Sequence, residues 1–139
     1  MPGIVVSVDG SDRSQHALEW AVTHAALEHA PLTVLAVHQV AASAWTGSPI
    51  IHPQDRPETE RVFRAAQETV RTAISKLGDR RPSSVTVRGS AGQPAEALIE
   101  ASHDAELVVV GARTGLARLM PGSVRDQVVK HAACPVVVI

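Results

Sequence analysis

A chain of 139 residues is long enough for one domain with a substantial core, and 45% apolar with 19% charged content excludes a disordered chain. Thirteen basic residues against fourteen acidic ones leave a formal charge of −1 without any Lys/Arg cluster, so neither nucleic acid nor a membrane surface is an expected partner. The single Cys134 cannot pair within the chain, no apolar run approaches a membrane span, and Asp9 interrupts what a signal peptide would need; a cytoplasmic location is expected.

Gly3 to Val8 holds Ile4, Val5, Val6 and Val8, the short apolar run of a buried first strand. The turn Asp9-Gly-Ser-Asp-Arg-Ser14 follows, with Ser11 or Asp12 placed to cap a helix. From Ser14 to His29 the residues Ala17, Leu18, Ala21, Val22 and Ala25 recur at helical spacing, and their small side chains predict a helix lying close against a sheet. Pro31 closes that helix, and Leu32 to His38 reads as a second strand.

Ala41 to Pro57 reads as a loop, with Gly47, Pro49, Pro53 and Pro57 and carrying Trp45 and His52. Glu58 to Leu77 is the longest predicted helix, with Val62, Ala66, Val70, Ala73 and Leu77 on one face and Gly78 at the C-cap. Ser84 to Arg88 alternates apolar and polar residues, as an edge strand does. Gly89 to Gly92 reads as a turn, and Pro94 starts a helix running to about Ser102. Val108 to Val110 is the core of a fourth strand, closed by Gly111. A helix from about Ser123 to Ala132 carries Val124, Val128 and Ala132 on one face, and Pro135 to Ile139 closes the chain as strand five.

Strand and helix alternate throughout, joined by connections too long for hairpins. That pattern predicts right-handed crossovers and an α/β fold built on an open, doubly wound parallel sheet, residues 1–139 forming one domain. In such a sheet ligands sit beyond the carboxyl ends of the strands, where the strand order reverses. If the first strand is central and the fourth lies beside it, the crevice has two lips: Asp9-Gly10-Ser11, and the loop from Gly111 to Ser123. Glycines in that loop permit close backbone approach, and the following helix, capped by Ser123, presents free N–H groups and a positive dipole end to an anion. The chain has no G-x-x-x-x-G-K-[ST] and no G-x-G-x-x-G after its first strand, which disfavours a Walker-type loop and a dinucleotide-binding Rossmann domain.

At this crevice the residues resemble the universal stress protein family. The resemblance runs through Val5-Val-Ser-Val-Asp-Gly-Ser11, Ala17-Leu18, Gly92-Gln-Pro-Ala-Glu-Ala-Leu98, Gly111-Ala-Arg113, Gly122-Ser-Val124 and His131-Ala-Ala-Cys-Pro-Val-Val-Val138. It implies a five-stranded, Rossmann-like sheet of order 3-2-1-4-5 and a dimer, with ATP bound at the crevice in many members. Carried over by position, Asp9 faces the adenosine part and Val37 meets the adenine. Gly111, Gly122, Ser123 and Val124 lie along the ribose and phosphates.

ATP-binding members show G-x2-G-x9-G-[S/T]. Here Thr114 stands at the second glycine, and the spacing from Gly111 to Gly122 is shorter by about two residues. With the gap after Arg113, Gly115 aligns with a later glycine of the loop. The shorter loop offers fewer N–H groups to a triphosphate, while Arg113, Arg118 and Arg125 could supply charge-assisted contacts to phosphate.

The seven histidines are scattered without metal-ligand spacing, and no acid–base partner accompanies Cys134, so neither a metal site nor a nucleophile is expected. Val136 to Ile139 would leave an uncharged apolar edge strand, which predicts pairing with the same strand of a second copy, and the resemblance points the same way. The sequence therefore predicts a cytoplasmic, homodimeric stress-response protein. It would bind an adenine nucleotide (ATP with Mg²⁺, or a smaller one such as AMP or cyclic AMP) between strands one and four and act as a nucleotide-dependent regulatory module. The alternative is a nucleotide-free dimeric interaction protein of the same fold. No catalytic constellation is visible; slow ATP hydrolysis, which occurs in some relatives, is the most chemistry expected.

Overall fold

The computed structural model describes residues 3–9, 11–39, 45, 55–111 and 124–139. In chain order the elements are β1 (Gly3–Val8), α1 (Asp12–Glu28), β2 (Pro31–Gln39), α2 (Asp55–Ser75), β3 (Ser84–Gly92), α3 (Pro94–Ser102), β4 (Ala105–Val110), α4 (Val124–His131) and β5 (Val136–Val138). All neighbouring strands are parallel, in the expected order β3-β2-β1-β4-β5.

Strand alternation divides the core between the two faces of the sheet. Ile4, Val6 and Val8 of β1 join Leu32, Val34 and Ala36 of β2 and Val109 of β4 beneath α1 and α2. On the other face Val5, Val108 and Val110 meet Ala95 and Leu98 of α3 and Val128 of α4. The small residues of α1 explain its closeness to the sheet: Ala17, Leu18, Ala21, Val22 and Ala25 are all buried. Val62, Ala66 and Val70 form the buried stripe of α2, with Ala73 and Leu77 partly buried at its end.

Several boundaries differ from the sequence expectations, each for a local reason. Helix α1 begins at Asp12, not Ser14, because Ser11 is the N-cap and accepts a bond from the Ser14 N–H. It ends at Glu28, and His29 caps it in the left-handed region at φ 50. Pro31 is therefore the first residue of β2 and not the helix terminator. Helix α2 starts at Asp55, which takes Pro57 into its first turn, where a missing N–H costs nothing. It ends at Ser75, and Gly78 lies beyond a tightened turn at φ 66.

The largest difference is at Gly89 to Gly92, expected as a turn and found as the continuation of β3. The ladder runs unbroken from Pro31–Ser84 to Gln39–Gly92, so hydrogen bonds to β2 hold the glycines extended. Gly89 also accommodates α2: a Cβ there would lie 3.1 Å from the Phe63 Cβ. Strand β4 begins at Ala105, ahead of its apolar run. The loop expected at 41–57 lies outside the described residues at Gly47, Pro49, His52 and Pro53, while Trp45 is exposed.

Candidate functional site

The crevice follows from the topology. The chain leaving β1 turns to the α1/α2 face, whereas β4 leads on to α4 against the opposite face. Because β1 and β4 are neighbours, the chain diverges at the carboxyl ends of these strands and leaves the groove of a doubly wound sheet.

On the first lip, Asp9 follows β1 and its Oδ1 accepts the Ser11 N–H at 2.8 Å. The Asp9 N–H in turn donates to the Ser14 hydroxyl at 3.3 Å, and that hydroxyl donates to the Ser11 carbonyl at 2.9 Å. The arrangement is a variant of the capping box, in which a residue of the first helical turn reaches back to the chain ahead of the cap. Ser14 is 8% exposed. Partial burial pushes the Asp9 carboxyl up, but the hydrogen bonds from Ser11 and Ser14 outweigh it and hold the group below its ordinary 3.8. Asp9 thus presents a fixed carboxylate at the end of the central strand.

Val37 lies on β2 with 1% of its surface exposed. The registered pairing of β1 with β2 ends at Val8–Ala36; Val37 is the next residue of β2, and the alternation from Leu35 puts it on the α3/α4 face. Asp9 and Val37 are thus the residues that follow the last registered pair of β1 and β2.

On the second lip, Gly111 follows β4 and packs against the start of α1. A Cβ at Gly111 would stand 3.0 Å from the Arg13 carbonyl oxygen and 3.4 Å from the Ser14 nitrogen. Val124 opens the described part of α4 and is partly buried against the core that holds Val108 and Val128. Its neighbour Arg125 turns its guanidinium onto Asp126, with Nε and Nη2 at 3.1 and 3.0 Å from Oδ1. Asp126 also sits in the first turn of α4, where its charge meets the positive end of the helix dipole. Arg113, Thr114, Gly115, Arg118, Gly122 and Ser123, with Gly10, lie outside the described residues.

Sequence reasoning passed over Ser14 and the Arg13–Ser14 peptide. A signal for Ser14 was present, since Ser11-x-x-Ser14 matches the spacing of cap and third helical residue. Nothing in the sequence announced the contact between Gly111 and α1. Among the described residues there is no group of three His, Cys, Asp or Glu able to hold a metal ion. Nor is any described helix long and apolar enough to cross a membrane.

Residues 2–139 match the model of the Universal stress protein family. The chain belongs to that family. It is 36% identical over 145 residues to Universal stress protein Rv2005c of Mycobacterium tuberculosis, covering 99% of this chain and 47% of the relative. The chain thus spans about half the length of the curated mycobacterial relatives it matches. Among solved structures it is similar to the universal stress protein from Archaeoglobus fulgidus in complex with dAMP, with 26% identity, a TM-score of 0.65, and 100% and 98% of the two chains covered. A universal stress protein in complex with cAMP shares the fold at a TM-score of 0.70 and 23% identity, over 99% of this chain and 95% of the other.

Proposed function

We propose that the chain is a nucleotide-dependent regulatory module of the stress response, binding an adenine nucleotide in the crevice between β1 and β4. The supporting observation is the built turn at Asp9, directly after β1 in a sheet that matches, along its whole length, a relative in complex with dAMP. In this reading Asp9 and Val37 face the adenosine part, and Gly111, Gly115, Gly122, Ser123 and Val124 line the ribose and phosphates with Arg113. ATP with Mg²⁺ is one candidate; the short loop and the Arg125–Asp126 pair favour a nucleotide with fewer phosphates, such as AMP or cyclic AMP.

Residues 1–139 act as one domain, working in the cytoplasm as a homodimer through Val136 to Ile139. Its output is a change in stability or partner choice, with no rapid chemistry. The acidic Asp126 at the head of α4 favours, as the second reading, a nucleotide-free dimeric interaction protein.

Calorimetric and thermal-shift titrations with ATP, ADP, AMP, cyclic AMP and dAMP, with and without Mg²⁺ and with GMP as control, decide between the two. Ligand at about a hundred times its Kd stabilises the fold by about 2.7 kcal/mol, a shift of several degrees. Silence from every adenine nucleotide at millimolar concentration removes the first reading.

A further inference from the structure

We infer that Ser14 and Gly111 are positioning residues of the crevice, each setting one lip against the same Arg13–Ser14 peptide at the start of α1. The inference rests on the nucleotide reading of that crevice and adds what fixes its geometry.

For the first lip, the buried Ser14 hydroxyl does two things at once. It accepts the Asp9 N–H and donates to the Ser11 carbonyl, so the chain between β1 and α1 is tied at both ends to one oxygen. The Ser14 N–H completes the arrangement by donating to the Ser11 hydroxyl at 3.2 Å. The Asp9 carboxylate takes the Ser11 N–H within the same short turn. The backbone direction at Asp9 is therefore set by Ser14, and the carboxylate follows the backbone. The lowered titration of Asp9 agrees, since Ser14 is among the groups that stabilise its charge.

For the second lip, the constraint at position 111 is tight packing. Its φ lies outside the left-handed region, so the backbone conformation alone would accept another residue. A Cβ there would stand 3.0 to 3.4 Å from the Arg13–Ser14 peptide, so that peptide would have to give by a few tenths of an ångström. That contact is with backbone at the head of a helix already fixed by its cap, and such a neighbour yields less readily than the tip of a flexible side chain. β4 and the head of α1 therefore meet closely at Gly111, and a side chain there would push the end of β4 away from the head of α1.

The experiment uses Ser14→Ala, Ser14→Thr and Gly111→Ala in the full chain, with two readouts. The first is the affinity for AMP, cyclic AMP, dAMP and ATP by calorimetry. Loss of the Ser14 hydroxyl is expected to weaken binding about five- to tenfold, the worth of one hydrogen bond, and Ser14→Thr to restore it. Gly111→Ala is expected to weaken binding by at least as much. The second readout needs no ligand: the Asp9 carboxyl titration followed by carbon-detected NMR, which should move upward in Ser14→Ala and return in Ser14→Thr.

Unchanged affinity together with an unchanged Asp9 titration in Ser14→Ala overturns the role of Ser14. Wild-type affinity in a folded Gly111→Ala overturns the role of Gly111. A wild-type protein that binds no adenine nucleotide overturns the functional reading instead, and the Asp9 titration then still tests whether Ser14 governs that turn. Thermal melts of the unliganded variants identify any that are partly unfolded. Those are titrated again at lower temperature, where the folded form dominates and the same outcomes apply.

Discussion

Ser102→Ala is a sharp test of how the two helices on the second face of the sheet are joined. Ser102 ends α3 and is 1% exposed, one of only two buried polar residues among those described. Its hydroxyl donates to the Ile99 carbonyl at 2.5 Å and accepts the Ala133 N–H at 2.9 Å, across the turn that leads from α4 into β5. Removing the oxygen leaves a backbone donor without that partner in a part-buried setting, at a cost of about 1–3 kcal/mol. For a chain of this length that corresponds to a fall in Tm of roughly 3–10 °C. Calorimetric melting measures the loss. Amide hydrogen exchange locates it: protection should fall at Ala133 and through Val136 to Val138, and stay unchanged in β2 and β3. A fall in Tm of less than about 1 °C, or exchange rising evenly through the whole sheet, refutes a pinning role for this hydroxyl at the α4–β5 turn.

Gly3→Ala should destabilise the fold by about 1–3 kcal/mol, because a Cβ there runs into the Pro31 carbonyl and stands 2.8 Å from the Pro31 Cβ; denaturant unfolding reads it, and unchanged stability would show that the two strand starts can separate freely. Asp9 has a folded titration below 3.8, so its contribution to stability is complete above about pH 5 and is lost as the pH falls through the folded value. Melts of wild type and Asp9→Asn should accordingly converge on acidification from about pH 5, and a gap that stays constant would contradict the hydrogen-bonded carboxylate. Val138, 40% exposed at the edge strand, is the position for Val138→Lys: sedimentation should show a dimer dissociated to monomer while Tm of the monomer is little changed. A wild-type sedimentation profile from the lysine variant would place any self-association elsewhere.

Much of the fold could be read from the chain because its signals are local. Val5-Val6, Val34-Leu35 and Val108-Val109-Val110 are apolar runs that only a strand covered on both faces can bury, and helical spacing between them forces parallel crossovers. The reversal of strand order, and with it the place of the crevice, follows from that alternation together with the family pattern. Asp9 and Gly111 stood out as candidates for the same reason: each directly follows a strand.

The tertiary structure decided what depends on distant partners. Gly89 to Gly92 carries a turn composition, yet a parallel ladder with β2 holds it extended. Gly111 read from the sequence as the residue that ends the fourth strand. Its tight packing is against the Arg13–Ser14 backbone, nearly a hundred residues earlier in the chain, and sequence spacing carries no measure of that distance because only the folded sheet brings the two peptides together.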